Sequence, residues 1–341
     1  MIDAIIKEVC QSDFTKGSYP LLSDKYKPFL INKKKFYIVE PFKSKRAVVF
    51  LDGGNATIFR TPSMALHVIR LANATFRNNE RAGNYKEEFY ALTRVFEEKE
   101  KFYYRTKIFS EKEGRVCEED LVFDIFDKNL SATGRLDISR VGAIARRLAE
   151  IRFASGIAET LEDGDVIVMD GTLESALPPE QKYLDELYRK CFEKNILVSA
   201  LAKTTNLLTD KGGTFAMALD ELAPEESWYY HPVAECSAES HKADIYFVKL
   251  HRYSDYIFRF EIYREQKEMD VSPVLGMLAA NSNDISFPGY PYGLVLADRL
   301  ARVSNRDCER IRAVFFAKAG QEWASIKRHI ASDAHKVLDS I

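Results

Sequence analysis

Two acids in this chain stand in matching surroundings. Asp52 closes the apolar run Ala47-Val-Val-Phe-Leu and is followed by Gly53-Gly54; Asp170 closes Val166-Ile-Val-Met and is followed by Gly171. A run of Val, Phe, Leu and Ile reads as a strand covered on both faces, so an acid where it runs out sits at the rim of the core. A carboxylate there takes up a proton or finds a cation, and a divalent metal is the common cation that also does chemistry. Each acid alone reads first as a turn, since Asp-Gly is a favourable turn dipeptide and Asp caps the next element. The matched pair predicts two neighbouring strands and one metal site shared by Asp52 and Asp170.

Further candidates follow from spacing. In Arg146-Arg-Leu-Ala-Glu150, helical spacing puts Glu150 beside Ala143, Arg146, Ala154 and Ile157, on the flank of an apolar stripe. Its alternative is an ion pair with Arg146 or Arg147. Asp298 lies one helical turn after Leu294 among small and apolar neighbours, and its alternative is a salt bridge to Arg302. Lys203, just past the apolar run Ile196 to Ala202, is a cation placed to meet a phosphate or to neutralise developing charge; an exposed strand-end lysine is its plain alternative. Carboxylates without nearby His or Cys suit Mg²⁺ or Mn²⁺ better than Zn²⁺. Two such ions about 3.5 to 4 Å apart are the device for in-line displacement at phosphorus. The six histidines make no HxxxH or HExxH pattern and no GxxxxGK[ST] occurs, so a zinc hydrolase and a P-loop ATPase are not expected.

The composition suits a packed core, with 46% hydrophobic and 12% aromatic residues over 341 positions. A formal charge of -2 provides no global basic field, so nucleic-acid binding would rest on local patches or a partner. Five cysteines without CxxC spacing suggest neither a disulfide framework nor a zinc site, and a reducing cytoplasm is expected. No stretch reaches the roughly 18 apolar residues of a membrane span, and the N-terminal segment does not resemble a secretion signal.

Stepping along the chain, residues 1–43 read as an N-terminal extension, a short helix with Pro- and Lys-punctuated connections. Asn32-Lys-Lys-Lys-Phe36 could touch phosphates but reads first as a solvated loop. After the Asp52 strand, a second strand is expected over Ser63–Phe76, and Glu88–Phe109 reads as one long strand or a hairpin, giving an antiparallel meander. A surface insertion is expected near 110–135. A helix then opens at Asp137 or Ser139, with Val141, Ile144, Leu148, Ile151, Ala158 and Leu161 as its apolar stripe, closing at Glu162-Asp-Gly164. The Asp170 strand, a helix from Pro178 with Leu184, Leu187, Tyr188 and Cys191 inward, and a strand to Ala202 imply parallel neighbours. Thr209–Ala238 reads as loop and short helix, and Ala243–Leu250 and Tyr256–Tyr263 as a hairpin. A helix over Gly293–Ser304 and two amphipathic segments complete the chain. Three antiparallel strands, a helix, then parallel strands alternating with helices is the element order of an α/β, ribonuclease H-like mixed sheet; residues 44–341 would form that domain.

The pieces Leu51-Asp-Gly-Gly54, Arg146-Arg-Leu-Ala-Glu150, Val168-Met-Asp-Gly-Thr-Leu173, Ala202-Lys-Thr-Thr205, Tyr246-Phe-Val-Lys-Leu250 and Gly289-Tyr-Pro-Tyr-Gly-Leu-Val-Leu-Ala-Asp298 resemble, in order and spacing, the NurA nuclease family. The resemblance covers about Val48 to Ser304. It implies Mn²⁺-dependent DNA hydrolysis, with 5′ to 3′ exonuclease and single-strand endonuclease activity, a homodimer, and a HerA-type hexameric translocase as partner in DNA end resection. By matched position it makes Asp52, Glu150 and Asp170 metal ligands and Tyr290 an aromatic of the active site. Asp298 stands where the family commonly has His, and Gly54 where Ser is usual. Two other classes compete. An actin- or sugar-kinase-like ATPase would need a later Gly-rich adenosine loop behind an apolar strand, which Gly212-Gly213 lacks; a non-catalytic DNA-clamp subunit would have lost carboxylates that are all present here.

Overall fold

The computed structural model describes residues 1–10, 13–112, 114, 116–128, 130–131, 134–266 and 270–330. The first half of the chain holds β1 (Tyr26–Pro28), β2 (Phe36–Ile38), β3 (Val48–Thr61), β4 (Met64–Arg77), β5 (Glu80–Glu98), β6 (Lys101–Phe109), β7 (Val122–Asp124) and β8 (Val166–Asp170). The second half adds β9 (Leu197–Ala202), β10 (Trp228–Tyr230), β11 (Ala234–Cys236), β12 (Ala243–Lys249) and β13 (Phe258–Tyr263). The helices are α1 (Ile2–Cys10), α2 (Ile138–Ala158), α3 (Pro178–Glu193), α4 (Phe215–Asp220), α5 (Ser272–Ala280), α6 (Tyr292–Ala301) and α7 (Asn305–Ile330). The chain divides into two compact units: Met1–Phe50, Ala74–Gly83 and Ala158–Leu296 make the first, and Leu51–Asn73, Asn84–Ile157 and the chain from Ala297 onward make the second.

In the first unit the strands run in the order β2-β10-β12-β13-β9-β8, and the opening residues of β3 follow β8. β8 and β9 are parallel, with Val166 opposite Leu197 and Asp170 opposite Leu201, as the crossover through α3 requires. The pairs β9–β13, β13–β12, β12–β10 and β10–β2 are antiparallel. The Val166 N–H reaches the Ala47 carbonyl at 2.8 Å, so the strand that begins before Asp52 does neighbour the strand that ends in Asp170. Pro178 and Pro179 open α3, and Leu184, Leu187, Tyr188 and Cys191 are buried as the 3.6-residue period predicts. Trp228, Tyr230, Phe215, Leu219 and Phe247 form one core cluster. Two features were not legible in sequence. The three-residue strands β10 and β11 are too short to alternate, and α5 (SPVLGMLAA) is apolar all round, with Val274–Ala280 buried, so it has no period to read.

In the second unit the strands follow one another as the expected meander, β3-β4-β5-β6-β7. The sequence placed the end of the first strand at Asp52; β3 instead continues to Thr61. What stops at Asp52 is full burial: residues 48–52 are buried and 53–57 half-buried, so apolarity marks the edge of the core and not the end of the ladder. β5 begins at Glu80, eight residues before the expected Glu88, because its first part is a charged, exposed strand. Lys99 and Glu100, both at positive φ (51° and 63°), turn β5 into β6, without the Asn-Gly signature that would have announced a hairpin. α2 starts at Asp137, which accepts the Ser139 N–H at 2.9 Å as an N-cap, and Val141, Leu148 and Ile151 are buried; it stops at Ala158, short of Leu161. Cys308 and Ile311 of α7 join Ile58, Phe59, Leu66 and Val68 in a second core cluster. The two expected amphipathic segments are one helical run interrupted at Gly320 (φ 51°, ψ −128°). Parts of the expected insertion near 110–135, and the last eleven residues, lie outside the described residues. All five cysteines are free thiols. Among the described residues no helix is long and apolar enough to cross a membrane.

Candidate active site

The second unit holds Asp52, Glu150 and Asp298. Asp52, the fifth residue of β3, is 7% exposed, and its Oδ1 accepts the N–H of Gly53 at 2.7 Å. Glu150, on α2, is 1% exposed. One turn earlier on the same helix, Arg146 donates from Nη1 both to Glu150 Oε2, at 2.6 Å, and to the Gly53 carbonyl, at 3.0 Å. Arg147 Nη1 stands 4.0 Å from the other Glu150 oxygen. A single guanidinium nitrogen therefore ties the helix acid to the strand residue that follows Asp52. Residue 53 must be small for this: a Cβ there would stand 3.2 Å from Arg146 Cγ and 3.4 Å from Glu150 Oε2. The ion-pair alternative for Glu150 is thus realised without removing the acid from the neighbourhood of β3.

Asp298, on α6, pairs with Arg302 at 2.7 Å across one helical turn, the salt bridge weighed from spacing. Gly54 gains a reason that the sequence did not offer. A Cβ at this position would run into the carbonyl oxygen of Ala301 at the end of α6, so a side chain here, such as the serine that the resemblance leads one to expect, requires that backbone to shift.

The first unit holds Asp170, Lys203 and Tyr290. Asp170 is the last residue of β8, and Gly171, at φ 100°, turns the chain away immediately after it. Lys203 follows the end of the parallel neighbour β9, and its Nζ lies 2.8 Å from Asp170 Oδ2. Tyr290 is buried against Phe258 and Phe287 and reaches Asp170 Oδ1 with its hydroxyl at 3.5 Å. The parallel register explains the first meeting: Asp170 lies opposite Leu201, two residues before Lys203, so both side chains leave the same strand ends. The motifs and their spacing do not single out Glu261, a buried acid. Glu261 sits in the middle of β13, within Phe258-Arg-Phe-Glu-Ile-Tyr263, and is entirely buried. An acid inside an apolar strand is itself a signal for a specific partner.

Among the described residues, no group of three or more His, Cys, Asp or Glu side chains is gathered as a ready cage for a metal ion. The acids hold cationic side chains, Arg146 on Glu150 and Lys203 on Asp170. Their donor chemistry, carboxylate oxygen without His or Cys, fits a hard divalent ion, and the guanidinium and ammonium show that each place accepts positive charge.

Against known proteins, the NurA domain model matches residues 46–303. No curated protein matches the chain in sequence. Among solved structures, the NurA nuclease from Sulfolobus solfataricus aligns over 94% of this chain and 94% of its own, at 13% identity and a TM-score of 0.53. Human ENDOV aligns over 79% of this chain and 92% of its own, at 12% identity and a TM-score of 0.36. Endonuclease V of Ciona intestinalis, solved with a DNA, aligns over 82% and 94%, at 9% identity and a TM-score of 0.36. The first of these likenesses carries the fold, the ribonuclease H-like mixed α/β arrangement expected from the element order. With the NurA domain matched over most of its length, this chain belongs to the NurA nuclease family.

Proposed function

We propose that the protein is a deoxyribonuclease dependent on Mn²⁺ or Mg²⁺ ions, for which Asp52, Glu150, Asp170 and Asp298 are metal ligands. The observation that carries this reading is membership of the NurA family across residues 46–303, which includes all four acids. The donor chemistry supports it. When bound, such ions supply an activated water and take up charge at the phosphodiester. The chain's own contribution is positioning and charge. Lys203 presents an ammonium beside Asp170, where it can neutralise charge developing on phosphate oxygens. The Tyr290 hydroxyl, fixed by two aromatic rings, orients the Asp170 carboxylate from its other oxygen. Arg146 holds Glu150 against the strand segment after Asp52.

The substrate in this reading is DNA, cut from 5′ ends and within single strands, by a homodimer working with a HerA-type hexameric translocase in end resection. Family membership is the support for these finer assignments. The test is incubation of the purified protein with end-labelled linear DNA and Mn²⁺, with and without the cognate translocase. Wild-type protein is expected to degrade the label, and Asp52→Asn and Asp170→Asn to abolish degradation while keeping the wild-type circular dichroism spectrum. Absence of any Mn²⁺- or Mg²⁺-dependent cleavage by the wild type, with the translocase present, would sink the nuclease reading. Wild-type turnover by either variant would remove that residue from the site.

A further inference from the structure

We propose that Glu261, held by His241 and Arg259, is a positioning residue that fixes the backbone carrying Asp170 by accepting the N–H of Leu173. This rests on the reading of Asp170 as a catalytic carboxylate.

Asp170 closes its strand, so the loop after it must be anchored from outside the ladder. The Gly171 N–H bonds the Leu201 carbonyl at 3.1 Å. A further anchor is Leu173, whose N–H donates to Glu261 Oε2 at 2.7 Å and whose carbonyl accepts the Tyr188 hydroxyl at 3.3 Å. Glu261 is itself over-determined. His241 Nε2 lies 3.1 Å from its Oε2, and Arg259 Nη2 lies 2.5 Å from its Oε1. A carboxylate only accepts, so the imidazole donates from Nε2, and its Nδ1 shares a hydrogen bond with the Tyr26 hydroxyl, 2.9 Å away. Tyr26 keeps that proton, because burial pushes its phenol well above the ordinary value. The result is a chain of hydrogen bonds joining Tyr26, His241 and Glu261, which meets a backbone amide three residues after Asp170.

Position in the sheet gives the cluster its leverage. β13 is the direct neighbour of β9, with Glu261 opposite Ala200 and Arg259 opposite Ala202, the residue before Lys203. The buried acid thus grips the loop of Asp170 from the strand next to the one that presents Lys203, so the relation of the 2.8 Å pair depends on it. A fully buried acid and histidine, beside a half-buried arginine, are costly compared with apolar residues of the same size, and a stability role alone gives no reason to keep them.

The test compares wild type, Glu261→Gln and Tyr26→Phe in Mn²⁺-dependent cleavage of a single-stranded oligonucleotide, with hydrogen exchange followed over residues 171–175. Glu261→Gln keeps the shape but loses the charge that organises its three partners. It is expected to lower kcat at least tenfold with KM within twofold of wild type, and to accelerate exchange at Leu173. A folded Glu261→Gln protein with wild-type kcat, or with unchanged exchange over 171–175, would overturn the proposal. Should Glu261→Gln fail to fold, Tyr26→Phe decides: a severalfold loss of kcat with faster exchange at Leu173 supports the proposal, and no change in either overturns it. If wild-type protein cleaves nothing, the nuclease reading is what has failed, and the exchange result still decides whether Glu261 holds the loop.

Discussion

Replacing His67 with glutamine should flatten the acid sensitivity of the fold, and the size of the effect follows from where the imidazole lies. His67 is fully buried in β4, with its Nδ1 3.2 Å from the Thr57 hydroxyl. α2 crosses it so closely that a Cβ on Gly142 would overlap the ring. Burial is the main influence and drives the ring's pKa from 6.5 down to about 4; a backbone hydrogen bond at Ile138 and the charge of Asp137 offset this only in part. The folded state then resists a proton that the unfolded chain accepts, so stability is complete above pH 6.5 and is lost as pH falls toward 4. At roughly 1.4 kcal/mol per tenfold change, the difference amounts to about 2 kcal/mol by pH 5 and about 3 kcal/mol by pH 4. Urea unfolding of wild type and His67→Gln at pH 7, 6, 5 and 4 measures this, because contributions from every other group cancel in the comparison. The gap between the two proteins should change by about 3 kcal/mol from pH 7 to pH 4, the wild type losing more. Parallel curves, within about 0.5 kcal/mol, would show that the imidazole titrates in the folded protein as it does in water and would refute the reasoning.

Gly54→Ser should destabilise the fold by about 1 to 3 kcal/mol, because the added side chain meets the Ala301 carbonyl, a backbone atom that cannot rotate away; an unchanged urea midpoint would show that α6 yields freely. Asp298→His should leave stability within about 0.5 kcal/mol, since the pair it breaks joins Asp298 to an exposed arginine. The same variant should retain part of the Mn²⁺-dependent cleavage, because imidazole is the group the family commonly places there; complete inactivity of a folded protein would show that Asp298 does not occupy the matched position.

Much of the local arrangement of the candidate site was legible because its signals are local. An apolar run closed by Asp-Gly marks the edge of a core whatever surrounds it, and both Asp52 and Asp170 lie where burial gives way. The strand–helix–strand order around α3 required β8 and β9 to be parallel, and parallel register carries Lys203 to Asp170. The flank position of Glu150 followed from counting in steps of 3.6, as did Arg146 as its companion.

Other features belong to the tertiary structure because they join residues that no local pattern connects. The second partner of Arg146, the Gly53 carbonyl, lies 93 positions away in the chain, and a sequence holds no sign of which backbone oxygen a guanidinium will find. Gly54 reads as a turn residue until the end of α6 comes against it, when it proves to be a matter of space. Glu261 meets Leu173 across 88 positions and His241 across 20, and only packing determines that an acid inside an apolar strand finds an amide, an imidazole and a guanidinium instead of taking up a proton. Periodicity and turn chemistry act over a few residues, so the sequence by itself determined which elements form and which acids lie at their edges. The identity of each acid's partner depends on distances between elements, which exist only once the chain is folded.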